Sequence, residues 1–348
     1  MESRLNFEND YCEGAHPKIL EALIASNMEQ TMGYGSDPYT ETAEKKIRRA
    51  CQCENAEVRL LVGGTQTNTT VIDSLLHNYE GVVCAETGHI AVHESGAVEA
   101  FGHKVLPLPA RQGKLMPEVL RSYLRDFWAD ESHEHMVLPG MVYLSHPTEY
   151  GTLYTLSELQ ELYRICQDYE IPLYVDGARL GYGLASPETD VDLPALAKVT
   201  DVFSIGGTKV GALLGEAVVF TKKMPSHFLT TVKRHGALLA KGRVLGIQFD
   251  TLFTDDLYME NSRHAIAMAG LLKQGLEQRG MKFYLDSPTN QQFVVLENNF
   301  LQQLHRHIAF SIWEKVDEEH TAVRFCTSWA TKEENIRKLF EVMDSIVL

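Results

Sequence analysis

The chain has 348 residues, with 32 lysines and arginines against 47 aspartates and glutamates, which gives a formal net charge of −15. So acidic a protein is not expected to bind nucleic acid or an anionic membrane surface, and no segment has the roughly 20 apolar residues of a membrane span. The six cysteines are scattered, Cys51 and Cys53 find no second pair for a zinc site, and the polar N-terminus lacks the apolar core of a signal peptide. We therefore expect a cytoplasmic protein with no metal.

The first predicted elements are a polar arm over residues 1–16, a helix that begins at Pro17 and a turn-rich loop over residues 31–41. Tyr34 lies in this loop. The loop is either a surface connection or a segment that brings an aromatic ring to a pocket, including a pocket shared between subunits.

Residues 57–62 (EVRLLV) have the pattern of a buried strand and run directly into GGTQTNTT and an apolar helix. This order is typical of a phosphate-binding turn, because glycines let the backbone approach the anion and the free N–H groups at the helix start face it. Gly64, Thr65 and Gln66 are the candidate phosphate ligands. A helix that is simply capped after a strand gives the same pattern.

Strands and helices then alternate. The apolar strand segments are 81–86, 103–108, 141–145, 171–176 and 201–205. Helical segments lie between them, and the pattern predicts a mainly parallel sheet with helices on both faces. His89 follows the first of these strands, where ligand sites of α/β sheets collect, although a lone histidine is more often a structural residue.

Two further strand ends carry charged side chains. Asp176 follows the strand IPLYVD, where it can cap the next helix or, beside a cofactor, face a pyridine nitrogen and keep it protonated. Lys209 lies between glycines in SIGGTKVG, either solvated or pointing into a cavity as a Schiff-base lysine requires.

The last hundred residues have a different pattern. A helical stretch is followed by strand segments, of which the first is FYLDS (283–287), and the chain closes on a predicted helix over residues 332–347. This composition suits a small α+β domain.

The motifs occur in the order GGT (63–65), HI with a glutamate four residues after Ile90 (89–94), DGAR (176–179), GGTK (206–209) and VRFCTSW (323–329). In this order the chain resembles, over nearly its whole length, the threonine aldolase group of fold-type I pyridoxal 5′-phosphate (PLP) enzymes, also called the β-eliminating lyase family. The resemblance implies an aspartate aminotransferase-like α/β fold with a mainly parallel central sheet. We expect an N-terminal arm (1–16), a large PLP-binding domain (17–250) and a small α+β domain (251–348).

The resemblance also implies roles for single residues. Lys209 would hold PLP as a Schiff base, Asp176 would pair with its ring nitrogen, His89 would stack on its ring, and the GGT turn would bind its phosphate. Arg179 and Arg324 match the arginines that bind the substrate carboxylate, a task suited to a planar fork of donors.

Other segments match parts of the family's site near the substrate or the subunit boundary. Asn9, with Asp10, lies where the family has a serine–aspartate pair near the carboxylate. Tyr34 and the run KRHGALLAKGR (233–243) resemble segments that reach a neighbouring subunit's site, with Arg234 and Lys241 at cationic positions. Lys241 replaces an expected arginine. Shared sites would require a homodimer or a homotetramer.

One stretch departs from the family pattern. Many members have a histidine in an Asn-Thr-His run after the fourth strand, whereas this chain reads SHPTEYGT over residues 145–152. His146, Thr148 and Glu149 are all near the expected position, and the sequence leaves the register open. We include Thr148 among the substrate-binding candidates.

The activity implied by the resemblance is cleavage of L-threonine, L-allo-threonine or a related β-hydroxy-α-amino acid such as phenylserine to glycine and an aldehyde, through a quinonoid intermediate. The base at the β-hydroxyl would be His89 or a water that it positions. Two other classes stay open. Another PLP lyase, racemase or aminotransferase would share Lys209 and Asp176, and a non-catalytic binding protein would not need an intact Lys209.

Overall fold

The structure, a computed structural model, describes residues 4–346, so positions 1–3 of the predicted arm and position 347 of the predicted last helix lie outside the described residues. The helices are α1 (Pro17–Ala25), α2 (Pro38–Ala50), α3 (Gly64–Leu75), α4 (His89–Val92), α5 (Pro117–Ala129), α6 (Leu156–Asp168), α7 (Leu180–Leu184), α8 (Leu193–Lys198), α9 (Phe228–Arg234), α10 (Arg243–Leu252), α11 (Leu257–Gln278), α12 (Asn298–Leu304) and α13 (Glu333–Ser345). The strands are β1 (Leu5–Asn6), β2 (Glu57–Leu61), β3 (Glu80–Ala85), β4 (Lys104–Leu108), β5 (Ala110–Arg111), β6 (Lys114–Leu115), β7 (Leu138–Ser145), β8 (Leu173–Asp176), β9 (Val202–Gly206), β10 (Glu216–Phe220), β11 (Lys282–Phe283), β12 (Gln291–Glu297), β13 (Ile308–Ala309), β14 (Ser311–Lys315) and β15 (His320–Cys326). Across residues 4–346, no helix combines the length and the apolarity that crossing a bilayer requires.

A seven-stranded sheet forms the centre of the molecule, with the strand order β2-β10-β9-β8-β7-β3-β4. Its strands run parallel except β10, which pairs antiparallel with both β2 and β9. Every residue of β8, β9 and β10 is buried, as expected for strands covered on both faces. The predicted mainly parallel sheet is confirmed.

Successive strand residues enter two different hydrophobic clusters, because side chains alternate between the faces of a sheet. Val83 and Val175 pack in the cluster that contains α5, α6 and α10, whereas Val82 and Tyr174 pack in the cluster that contains α3 and α9. Helices therefore cover both faces. The helix α6 begins with a reciprocal capping box between Thr155 and Glu158.

The C-terminal part forms a second, antiparallel sheet in the order β11-β12-β15-β14. Its apolar cluster contains α13, the later turns of α11 and Phe7 of the N-terminal arm, and β1 pairs with β13. The strand predicted over residues 283–287 is wrong beyond Phe283, because Ser287 turns away to hydrogen-bond with Thr289 and the Gly151 carbonyl. The domain division at residue 250 stays a prediction.

Two glycines let the ends of β8 and β9 approach each other closely. A Cβ on Gly177 would lie 2.0 Å from the Ser204 carbonyl oxygen, and one on Gly206 would lie 2.3 Å from the Ala178 carbonyl oxygen. The Gly177 N–H instead donates to Ser204 Oγ at 2.9 Å, and the Gly206 N–H donates to the Gly177 carbonyl at 2.9 Å. The DGAR and GGTK motifs therefore lie side by side.

Candidate active site

The carboxyl ends of the parallel strands face a cavity in two parts. The inner cavity, of about 40 Å³, is bordered by Gly64, His89, Asp176, Arg179 and Lys209 among others. The outer cavity, of about 720 Å³, shares His89, Arg179 and Lys209 with the inner one and reaches β14 and β15 of the second sheet. Because ligands of open α/β sheets bind beyond the carboxyl ends of the strands, this is the expected place for a site.

Lys209 lies in the turn that follows β9 and borders both cavities. Burial lowers the pKa of its ammonium group, and the Arg179 guanidinium lowers it further. The carboxylates of Asp10, Glu216 and Asp176 oppose this shift without cancelling it. A lowered pKa increases the neutral fraction of the amine, and the neutral amine is the form that attacks a carbonyl.

Asp176 ends β8 and is 6% exposed. Its Oδ2 accepts hydrogen bonds from the Tyr143 hydroxyl at 2.7 Å and from Asn68 Nδ2 at 2.9 Å. Its Oδ1 accepts one from the Ala178 N–H at 2.9 Å. Three donors from three different elements therefore fix the carboxylate at the edge of the inner cavity.

His89 begins α4 directly beyond β3 and borders both cavities. Its Nδ1 lies 2.8 Å from Oε1 of Glu94, the fully buried glutamate of the 89–94 motif. Asn68 Nδ2, which donates to Asp176, also donates to this Glu94 oxygen at 2.7 Å. One asparagine thus links the carboxylate of Asp176 to the residue that holds the His89 ring.

The N-terminus of α3 faces open space. A Cβ on Gly63 or Gly64 would meet no atom within 4 Å, and the first amides of a helix have no acceptor within the helix. Gln66 Nε2 donates to Thr70 Oγ1 at 2.6 Å, while Gln66 Oε1 is buried with no partner within residues 4–346. Free amides at the positive end of a helix suit an anion such as a phosphate monoester.

Arg179 is tied to the N-terminal arm. Its Nε and Nη2 donate to the two oxygens of Asp10, which is fully buried and also accepts from Asn290 Nδ2 at 3.0 Å. Burial raises the pKa of the Asp10 carboxyl, but the charges of Arg179 and Lys209, with the hydrogen bonds from Arg179 and Asn290, together hold that pKa below its ordinary value. Asn9 does not join this group, because its Oδ1 accepts from the Tyr11 N–H at 3.0 Å.

Arg324 borders the outer cavity from β15. Its Nη1 donates to Gln291 Oε1 at 3.0 Å and its Nη2 to Ser311 Oγ at 3.1 Å. The guanidinium carbon lies 5.3 Å from the centre of the Trp313 ring. Both predicted carboxylate-binding arginines therefore border the same cavity, from opposite sheets.

The segment after β7 shows which side chain faces the cavity. His146 is fully buried, accepts from the Tyr154 N–H through Nδ1 at 3.4 Å and borders neither cavity. Burial lowers the pKa of His146 to about 4. Thr148 borders the inner cavity, but its hydroxyl is paired with that of Thr152 at 2.7 Å. Glu149 borders both cavities.

Three predicted site residues, Tyr34, Arg234 and Lys241, border neither active-site cavity of their own chain. Tyr34 borders a separate cavity of about 310 Å³, and its N–H donates to the Ala240 carbonyl, next to the exposed Lys241. Arg234 pairs with Asp73 on α3. The structure therefore brings the loops of Tyr34 and Lys241 together, but away from both active-site cavities.

Two residues that hold the site were not predicted from the sequence. Asn68 was not singled out, although it lies one helical turn after Gly64 and so shares its face of α3. Tyr143 was also passed over, although it lies two residues before Ser145 on the same face of β7, and their hydroxyl oxygens are 3.1 Å apart. One helical turn counted from Gly64 indicates Asn68, and two strand residues counted back from Ser145 indicate Tyr143.

Comparison with solved structures establishes the class of fold, and comparison with family models establishes the family. The structure superposes on aspartate aminotransferase from Thermus thermophilus with a TM-score of 0.71 over 99% of this chain and 92% of that chain, at 17% identity, which establishes an aspartate aminotransferase-like fold. The chain belongs to the β-eliminating lyase family, whose model matches residues 7–346, and it is a lyase.

Two relatives match nearly the whole chain. The low specificity L-threonine aldolase of Pseudomonas aeruginosa is 30% identical over 341 residues, which cover 96% of this chain and 95% of the relative. The structure of threonine aldolase from Leishmania major superposes with a TM-score of 0.93 at 39% identity, over 98% of each chain. The resemblance to the threonine aldolase group is confirmed.

Proposed function

We propose that this protein is a PLP-dependent aldolase that cleaves L-threonine, L-allo-threonine or a related β-hydroxy-α-amino acid to glycine and an aldehyde. The observation that carries the proposal is the convergence of Lys209, Asp176 and the N-terminus of α3 on one cavity, with Arg179 and Arg324 beside it. The relatives in Pseudomonas aeruginosa and Leishmania major, both threonine aldolases, support the same reaction.

The residues around the inner cavity fit PLP. The open space before α3 and the amides of residues 64–66 suit its phosphate. Asp176 would pair with the protonated ring nitrogen, Lys209 would bond to the aldehyde carbon, and His89 would stack on a face of the ring. When bound, PLP supplies an electron sink for the pair released as the Cα–Cβ bond breaks.

The outer cavity supports a substrate with a carboxylate and an apolar β-substituent. Arg179 and Arg324 supply the cationic donors for the carboxylate. Tyr150 and Trp313 form an apolar wall, with ring centroids 5.3 Å apart in an edge-to-face arrangement, and Ile312 lies beside them. This wall suits the phenyl group of phenylserine as well as the methyl group of threonine.

We also infer a homodimer or homotetramer with shared active sites. Tyr34, Arg234 and Lys241 lie away from the cavities of their own chain, as residues that serve a neighbouring copy would. Ile24 and Met28, on and just after α1, are 76% and 88% exposed, and an interface with a second copy would cover large apolar side chains of this kind.

Mixing two variants tests the shared site. If Lys241 serves the neighbouring copy, mixing Lys241→Ala with Lys209→Ala, after dissociation and reassembly, restores one complete site in each mixed pair. About a quarter of the wild-type activity is then expected, since half of the pairs are mixed and each has one complete site. Activity no greater than the sum of the two separate variants would overturn the shared site.

A cytoplasmic location completes the proposal. The six cysteines, all within residues 4–346, are free thiols in the structure. Free thiols persist in a reducing compartment, so fractionation of the native host should recover the protein with cytoplasmic markers.

The activity is tested with purified, PLP-loaded protein and four substrates: L-threonine, L-allo-threonine, L-serine and L-phenylserine. Equimolar release of glycine and the matching aldehyde is the expected result, and the relative rates rank the β-substituents. Keto acid, inverted amino acid or ammonia without an aldehyde would replace the aldolase with another PLP activity on the same scaffold.

A further inference from the structure

We propose that Glu149 accepts the β-hydroxyl proton of the substrate through its Oε2. The inference rests on the proposed aldolase function and assigns the base of that reaction. Glu149 comes from the stretch that departs from the family's Asn-Thr-His run, in which the sequence leaves open whether His146, Thr148 or Glu149 takes the place of that histidine.

The geometry distinguishes the two oxygens of Glu149. Oε1 accepts two hydrogen bonds, from Ser145 Oγ at 2.5 Å and from the His89 N–H at 2.9 Å. Oε2 is buried and has no partner within the described part of the chain. Glu149 is only 8% exposed, and it borders both cavities together with Lys209 and Arg179.

A buried acceptor with no donor is costly unless a ligand supplies the donor. The two donors on Oε1 hold the carboxyl group in one orientation, so Oε2 is the oxygen left for a new partner. Burial raises the pKa of the Glu149 carboxyl above its ordinary value, although Ser145 and the charge of His89 oppose the shift. A carboxylate with a raised pKa is a stronger base than an exposed one.

The neighbouring candidates are less suited to this role. His146 borders neither cavity, and the Thr148 hydroxyl is paired with Thr152. His89 keeps a role at the cofactor ring, since its Nδ1 is held by Glu94. Glu94 and Glu216 also have a buried carboxylate oxygen with no partner within residues 4–346, but neither borders either cavity. Glu149 is therefore the carboxylate at the cavities with an unused buried acceptor.

The proposed step balances in protons and electrons. The β-hydroxyl O–H bond breaks, and its proton moves to Oε2 of Glu149. The Cβ–O bond becomes the carbonyl of the aldehyde as the Cα–Cβ bond breaks, and the electron pair of that bond passes to the cofactor's sink. Cα later takes up one proton that derives from solvent to complete glycine, and Glu149 returns its proton to solvent, so no oxidant or reductant is needed.

The variant Glu149→Gln tests the proposal in the PLP-loaded protein, because it keeps the size and the Oε1 acceptor but removes the base. We expect kcat for cleavage of L-threonine and L-phenylserine to fall roughly 10²- to 10³-fold, with KM changed less than threefold. Exchange of the glycine α-proton with D₂O, followed by NMR, uses no β-hydroxyl and should stay within twofold of wild type. The PLP absorbance band should be retained.

Glu80→Gln is the control, since Glu80 borders neither cavity and a glutamine there can still accept from the His77 N–H. It should leave cleavage unchanged. If Glu149→Gln does not fold, Glu149→Asp keeps the carboxylate but withdraws Oε2, and it should show the same loss of cleavage with exchange retained.

Three results would overturn the inference in distinguishable ways. Cleavage by Glu149→Gln within threefold of wild type would remove Glu149 from the chemistry. Equal loss of cleavage and of glycine exchange would make its role one of cofactor or substrate binding. A wild-type protein that exchanges the glycine proton but cleaves none of the four substrates would overturn the proposed function itself.

Discussion

Arg179 donates through Nε and Nη2 to the carboxylate of Asp10, at 2.7 and 2.9 Å, across 169 residues of sequence. This pair joins the N-terminal arm to the loop after β8, and it lies at the wall of the cavity that contains Lys209. Asp10 therefore orients Arg179, one of the two arginines that we propose bind the substrate carboxylate, and so links the N-terminal arm to the cavity wall. A planar guanidinium held on one edge presents its remaining nitrogen, Nη1, in a fixed direction.

Removing the negative charge of Asp10 should therefore destabilise the fold and weaken substrate binding together. For Asp10→Asn we expect the free energy of unfolding to fall by about 3 kcal/mol, since a buried guanidinium loses its counter-charge, and KM for L-threonine to rise at least tenfold. Urea unfolding and steady-state kinetics measure these effects. Asp126→Asn, which breaks an exposed pair with Arg125, should change neither quantity. Equal stability of the two variants would contradict the structural role of the pair.

The close approach of β8 and β9 predicts opposite effects for two glycine-to-alanine changes. Gly177→Ala places a Cβ 2.0 Å from the Ser204 carbonyl oxygen, so it should cost about 2 kcal/mol or more and lower PLP affinity, because the strands carrying Asp176 and Lys209 must separate. Gly270→Ala, inside α11, meets no atom within 4 Å and should stabilise by about 0.5–1 kcal/mol. Thermal unfolding of both variants checks the signs. A neutral Gly177→Ala would show that the strands are not so close.

The bridging role of Asn68 predicts a defect in cofactor binding. In Asn68→Ala, Asp176 and Glu94 each lose one donor, while Asp176 keeps Tyr143 and the Ala178 N–H. We expect the PLP dissociation constant to rise roughly tenfold, measured by absorbance titration of the cofactor-free protein. Asn298→Ala, whose side chain bonds to the Glu318 carbonyl away from both cavities, is the control. Unchanged PLP affinity in Asn68→Ala would remove the bridge from the account.

The buried His146 predicts a loss of stability in mild acid. Burial lowers the pKa of His146 to about 4, and Asp190 and Glu158 oppose the shift only in part. The pKa of the unfolded chain is about 6.5, so the unfolded state binds more protons between pH 6.5 and 4. The stabilising contribution of neutral His146 is complete above about pH 6.5 and is lost as the pH falls towards 4, by up to about 1.4 kcal/mol per pH unit.

Urea unfolding at pH 7.5 and pH 5.0 measures this contribution. The wild-type protein should lose about 2 kcal/mol more than His146→Asn between these pH values. The comparison concerns the pH dependence, so a uniform destabilisation of the variant does not affect it. Identical pH dependence in the two proteins would show that His146 has the same pKa in the folded and unfolded states.

The sheet and the residues around the inner cavity could be predicted from the sequence, because each follows a local rule. Lys209, Asp176, His89 and the glycine turn before α3 all lie directly after apolar strands, and the carboxyl ends of parallel strands meet at one edge. Each of these residues can therefore be recognised from one strand and the two or three residues that follow it.

The bonds that hold these residues could not be predicted, because they join distant segments. Nothing near Arg179 in the sequence indicates Asp10 as its partner, and nothing near Asp176 indicates Tyr143. The register of residues 145–152 was also open, since a polar segment without periodicity does not show which side chain turns inward. The packing of this segment shows which side chain turns to the cavity: His146 is fully buried and does not border the outer cavity, whereas Glu149 does.

Trapping the bond between Lys209 and PLP tests the central claim most directly. The PLP-loaded protein is reduced with borohydride and digested, and the peptides are analysed by mass spectrometry. We predict the mass of the reduced cofactor on the peptide that contains Lys209, and no such adduct and no aldehyde release in Lys209→Ala. An adduct on another lysine, or a Lys209→Ala protein that still cleaves L-threonine, would contradict the account.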